Sequence, residues 1–162
     1  MNNIYLFSDA SCNPLKNKSI GCYTLVSNLD NLDIFDTNIL NIQKHEMDFS
    51  SSTLAELHTI KEALKYAHSN IKYNNNDNTT ITLYVDCKNF VDLIKKRKDK
   101  ENLKDHRNYE LYCELINLVS LYNTNIIWTK GHDKKGNKNE VYQKIFSKVD
   151  KTARELSRSS QK

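Results

Sequence analysis

At 162 residues with a formal net charge of +4, the chain has material for one domain with one sizeable core. No uninterrupted apolar run is long enough to cross a bilayer. The opening MNNIYLFSDAS has no basic leading region and is broken by Asp9, so a signal peptide is not expected and a cytoplasmic monomer without membrane contact is. Cysteines 12, 22, 87 and 113 form no CxxC pair, which fits reduced thiols rather than a disulfide framework or a zinc site.

The net charge hides an asymmetry. Residues 1–87 hold 6 Lys/Arg against 10 Asp/Glu, and residues 88–162 hold 18 against 10. A basic second half suits a polyanionic partner through counterion release. A solvated lysine-rich surface produces the same count.

In chain order, 4–8 (IYLFS) and 20–27 (IGCYTLVS) read as strands separated by a polar turn around Pro14. Residues 32–42 (LDIFDTNILNI) are the candidate for a third strand, which makes an antiparallel meander. The period then changes: Leu54, Leu57, Ile60, Leu64 and Ala67 fall at helical spacing, and Thr53 with Glu56 matches a capping box at the helix start. After a polar loop at 70–78, TTITLYV (79–85) is a strand that ends on Asp86. CKNFVDLIKKRKDK begins as a short helix and runs into a basic segment at 95–100. YELYCELINLVSLY (109–122) is a second amphipathic helix and NIIWTK (125–130) a strand. Residues 131–140 form a loop, and Val141, Ile145, Val149, Ala153 and Leu156 mark a last helix. Residues 158–162 are expected to be a disordered tail of the single domain 1–162.

A meander followed by alternating helices and strands makes an α/β fold with a mixed sheet and helices on its faces. In such sheets, sites gather at the carboxyl ends of parallel strands. Asp9 and Asp86 are both expected there. Glu56 lies near the start of the helix after the meander, and Asp150 lies beside the apolar stripe of the last helix. Each has an ordinary role open to it. Asp9 suits a turn, Glu56 a capping box, Asp86 a helix cap, and Asp150 a surface acid between lysines 148 and 151. Together they suit a site for hard divalent cations, because clustered carboxylates repel one another unless a cation joins them.

YLFSDAS, SSSTLAELHTIKEAL, ITLYVD, IIWTKGH and VDKTAREL occur in this order along nearly the whole chain. In these segments the sequence resembles the type 1 ribonuclease H family. The resemblance implies a five-stranded mixed sheet in order 3-2-1-4-5 flanked by helices. It also implies a metal-binding and catalytic set of Asp9, Glu56, Asp86 and Asp150, with two Mg²⁺ ions, or Mn²⁺ in their place. His132 matches the family's mobile histidine, which assists proton handling or product release. Three departures stand out. Ala10 replaces the family's usual glycine after the first aspartate, Ser51 and Ser52 replace asparagines, and His132 precedes Asp150 by an extended loop.

The activity implied is endonucleolytic hydrolysis of the RNA strand of an RNA–DNA hybrid, leaving 5′-phosphate and 3′-hydroxyl ends. Ser11, Asn13, Ser52 and Asn89 are candidate groove contacts. Lys95, Lys96, Arg97 and Lys98 are candidates for gripping phosphates, with a solvated helix end as the other reading. Two alternatives stay open. One is a DNA-directed nuclease of the same fold, a junction resolvase or an exonuclease, although Asp9-Ala10-Ser11 lacks the Asp-x-Glu of proofreading exonucleases. The other is a nucleic-acid-binding domain without catalysis.

Overall fold

A computed structural model describes residues 2–27, 40–49, 51–73, 78–95, 108–129 and 141–159. Five strands and four helices follow in order: β1 (Asn2–Asn13), β2 (Lys18–Val26), β3 (Gln43–Met47), α1 (Ser52–Tyr73), β4 (Thr79–Val85), α2 (Lys88–Lys95), α3 (Tyr109–Leu121), β5 (Asn123–Trp128) and α4 (Val141–Ser159). The strands form one sheet in the order β3-β2-β1-β4-β5. The first three are antiparallel neighbours, while β1–β4 and β4–β5 are parallel. This is the mixed sheet that the sequence implies.

Side chains alternate across the sheet, and each face has its own core. Ile4 and Leu6 of β1 point with Ile81 and Leu83 of β4 toward α1 and α3, where Leu57, Leu64 and Leu115 close the larger cluster. Phe7 and Tyr84 point the other way, onto Ile145, Phe146, Val149 and Ala153 of α4. Those four residues are the apolar stripe expected of the last helix, with Phe146 added. α4 also runs to Ser159, two residues into the expected disordered tail.

Three boundaries differ from the sequence reading, each for a physical reason. The third strand is Gln43–Met47, not 32–42; residues 40–42 are outside any strand, and 28–39 lie outside the described residues. β3 pairs only with β2, so it is an edge strand. Polar residues are favoured on such an edge, which is why QKHEM carries no strand signal. β1 is also longer than 4–8. Its pairing with β4 stops at Phe7, but its pairing with β2 continues to Asn13. The β1–β2 connection is a 3₁₀ turn, Pro14–Lys16, closed by Asn17 at φ 50°, a left-handed conformation that Asn tolerates. Finally, β5 begins at Asn123 and ends at Trp128, two residues earlier than expected at each end.

α1 crosses β2 at Gly21. A Cβ there would overlap the side chain of Thr59, meeting its Cγ2 at 2.7 Å and Cβ at 2.8 Å. Thr59 is itself fully buried and donates to the Ala55 carbonyl at 2.7 Å. The absence of a side chain at 21 therefore sets how closely α1 lies on the sheet. Glu56 is carried on the turn of α1 just before that contact.

Candidate active site

Asp9 is not at the end of its strand but inside it, two residues past the last β1–β4 pair. Where β4 stops pairing, β1 continues with β2 alone, and Asp9 stands opposite Cys22. The side chain shares the α4 face with Phe7, which brings it to Asp150 on the third turn of α4. The Asp9 carboxyl donates to the Asp150 carboxylate. Asp9 is buried, with 7 % exposure. Burial first, then Asp150 and the charge of Glu56, push its pKa up to about 9, against a smaller opposing effect of the Ala10 amide. On its other side Asp150 accepts from Arg154 at 3.0 Å, one helical turn on.

Glu56 belongs to the second turn of α1 and takes no part in a capping box. The helix is capped by Ser51, whose Oγ accepts the Leu54 amide at 3.3 Å. Freed from that role, Glu56 accepts the thiol proton of Cys87 and lies in the field of Asp86. Burial is the largest influence on it, and with Asp86 it pushes the Glu56 carboxyl up to about 7, the thiol opposing. Asp86 follows β4 directly and is half-buried. It is not the cap of α2, because that helix starts at Lys88 and the preceding residue is Cys87.

The strands and helices that carry the four acids are locked by stacked rings. Phe7 of β1 lies on Tyr84 of β4 with centroids 4.6 Å apart and planes at 4°, and Tyr84 lies on Tyr142 of α4 at 5.3 Å and 18°. Each ring sits in the same element as one of the aspartates. Stacked pairs of this kind add to area burial.

The remaining expected residues distribute unevenly. Ser11 is half-buried on the β1 extension, and Asn13 is buried. Ser52 and Asn89 are exposed at the amino ends of α1 and α2, where Asn89 Nδ2 donates to Thr53 Oγ1 at 3.5 Å. Lys95 is exposed at the end of α2. Lys96, Arg97, Lys98 and His132 lie outside the described residues. Sequence reasoning missed Arg154, Cys87 and Cys12. Arg154 was discoverable from its i,i+4 spacing to Asp150. The thiol of Cys12 donates to the Phe49 carbonyl at 3.3 Å and fastens the β1 extension to the segment before α1, a contact without a sequence signal.

Among the described residues, no group of three or more His, Cys, Asp or Glu side chains is arranged to hold a metal ion in this structure. The reason is visible in the partners. A proton joins Asp9 to Asp150, a guanidinium holds Asp150, and a thiol holds Glu56. The donor chemistry nevertheless fits a hard cation. Asp9, Glu56, Asp86 and Asp150 offer oxygen alone, and the high proton affinity of Asp9 marks a place where positive charge is wanted.

A profile of the RNase H family matches residues 1–155. The chain belongs to the RNase H family. Nuclease action on RNA–DNA hybrids is the activity of that family, and divalent metal ions are its usual cofactors. The fold is similar to the N-terminal RNase H domain of rv2228c from Mycobacterium tuberculosis, solved as a fusion with maltose-binding protein, at 12% identity and a TM-score of 0.65 over 100% of both chains. It is also similar to LC9-RNase H1, described as a type 1 RNase H with the type 2 active-site motif. There the identity is 13% and the TM-score 0.60, over 89% of this chain and 69% of the other. No curated protein matches the chain. Among the described residues, no helix is long and apolar enough to cross a membrane.

Proposed function

We propose that the protein is an endonuclease that hydrolyses the RNA strand of RNA–DNA hybrids, leaving 5′-phosphate and 3′-hydroxyl ends. The observation that carries this reading is the buried Asp9, in hydrogen-bond contact with Asp150 and within the field of Glu56. Isolated in a protein core, such an arrangement is costly. It has a use where a cation replaces the shared proton.

Asp9, Glu56, Asp86 and Asp150 would hold two divalent ions, Mg²⁺ or Mn²⁺, with Asp9 common to both. Bound there, the ions supply an activated water and stabilise the leaving oxygen. The chain's own residues prepare the site. Asp9 gives up its proton, Asp150 exchanges part of its contact with Arg154, and the ring stack keeps β1, β4 and α4 in register. His132 would assist proton handling or product release. Selection of the RNA strand would come from 2′-hydroxyl contacts by Ser11, Asn13, Ser52 and Asn89. Lys95, Lys96, Arg97 and Lys98 would grip the DNA strand's phosphates.

The test is one labelled RNA strand offered as hybrid, RNA duplex and single strand, with a labelled DNA duplex alongside, each with and without Mg²⁺. Cleavage of the hybrid alone, dependent on the ion and lost in Asp86→Asn, is the expected result. Cleavage of the DNA duplex would replace the reading with a DNA-directed nuclease. Hybrid binding without any cleavage would replace it with a binding domain.

A further inference from the structure

Cys87 lies between β4 and α2 and is buried. Its carbonyl accepts the Val91 amide at 3.3 Å, the first bond of α2, which makes Cys87 the capping residue of that helix. Its sulfur fills the role that a serine oxygen usually fills, accepting the amides of Asn89 and Phe90, the second and third residues of the helix. A thiol has a single proton. With the helix amides on the acceptor side, that proton is left for one partner, and the partner is the Glu56 carboxylate.

A second contact spans the same junction: Asn89 Nδ2 reaches Thr53 Oγ1 at 3.5 Å, so the amino ends of α1 and α2 are joined twice. Between these two ties sits Glu56, a long side chain whose charge is repelled by Asp86. Left to itself it would rotate away from Asp86. The thiol opposes that rotation, and the backbone of α2 fixes the thiol.

We propose that Cys87 is the positioning residue for Glu56, holding its carboxylate beside Asp86 through the thiol proton while the amino end of α2 holds the sulfur. This rests on the reading of the four acids as a divalent-ion nuclease site, and it adds the device that keeps one ligand in place. Cys87 touches neither substrate nor ion in this scheme and acts only through Glu56.

The experiment is a double-mutant cycle on the full chain with Cys87→Ala, Cys87→Ser, Glu56→Gln and Cys87→Ala/Glu56→Gln. Mg²⁺ affinity is measured by titration calorimetry without nucleic acid, and kcat and KM on hybrid are measured below every variant's unfolding temperature. Cys87→Ala is expected to weaken Mg²⁺ binding and lower kcat by about tenfold each, the low end for loss of a group that orients a ligand, with KM for hybrid unchanged. Cys87→Ser, which keeps both the cap and the donor, should restore both, while in the Glu56→Gln background Cys87→Ala should change neither. An equal loss in that background, or no loss of Mg²⁺ affinity in Cys87→Ala, would overturn the proposal and leave Cys87 as a helix cap. A wild-type chain that binds Mg²⁺ but cleaves nothing would overturn the nuclease reading instead, and the calorimetric cycle would still decide on Cys87. A wild-type chain that neither binds Mg²⁺ nor cleaves hybrid would overturn both.

Discussion

The two halves of the acidic site are neutralised in different ways. On the β1–α4 side, Asp9 and Asp150 share a proton, and Arg154 supplies a full positive charge at 3.0 Å. On the α1–β4 side no cation meets Glu56 among the described residues; its partner is the neutral thiol of Cys87, and Asp86 repels it. The difference shows how a fold keeps like charges together without a metal. One half uses a proton and a counter-ion that an incoming cation can displace. The other uses a donor that helps the carboxylate keep its place.

The largest effect is expected from Asp9→Asn, which removes the carboxylate common to both halves. The amide can still donate to Asp150, so the fold survives while hybrid cleavage is lost. Stability should rise in divalent-free buffer. Between the ordinary carboxylate value of 3.8 and about 9, native Asp9 holds a proton that the unfolded chain has lost, so wild-type stability falls as pH rises through that window. Glu56 adds the same sign between 4.5 and about 7. Buried His58 and His68, whose pKa values are lowered chiefly by burial, act oppositely: the unfolded chain takes up their protons first, so stability falls as pH drops below about 6.5. They are common to both proteins and cancel in the comparison. Urea unfolding at pH 5 and pH 8 should show Asp9→Asn gaining on wild type with pH, by roughly 3 kcal/mol at neutrality. A gain that does not grow with pH would mean that the Asp9 proton is not what stabilises the pair.

A smaller effect, felt by the Glu56 half first, is expected from Gly21→Ala. The added methyl meets Thr59 and lifts α1 from β2, at a cost of about 1–3 kcal/mol. Hybrid cleavage should fall with it, because α1 carries Glu56. Thermal unfolding and kcat measured together check this, and the double variant with Thr59→Ser, which removes Cγ2, should recover part of both losses.

The smallest effect on stability is expected from Arg154→Ala, about 0.3–0.5 kcal/mol for a half-exposed i,i+4 pair. Its effect on ion binding should be larger and in the favourable direction. Without the guanidinium, Asp150 has no competing cation on its helix, and the Mg²⁺ concentration for half-maximal cleavage should fall several-fold. A rise would mean that Arg154 orients Asp150 rather than competes for it.

Much of the architecture was legible in the sequence because period and burial are coupled. The stripe at 141, 145, 149, 153 and 156 had to face a core, and Asp150 beside it had to lie near that core's edge. TTITLYV was readable as a strand because β4 is central and buried, and this fixed Asp86 at its end. β3 was not readable, since an edge strand has no need of apolar alternation. Nor was the extension of β1, because Ala10 to Asn13 pair with β2 alone and carry no strand pattern of their own.

The sequence alone determined which four acids stand at the ends of core elements, since chain order and hydrophobic period place elements without knowing their contacts. Only the tertiary structure decided their partners: Asp9 with Asp150 across 141 positions of chain, Glu56 with a thiol rather than a capping box, and α1 against a glycine. Those pairings depend on side chains meeting across elements, on distances of a few ångströms that no periodicity encodes.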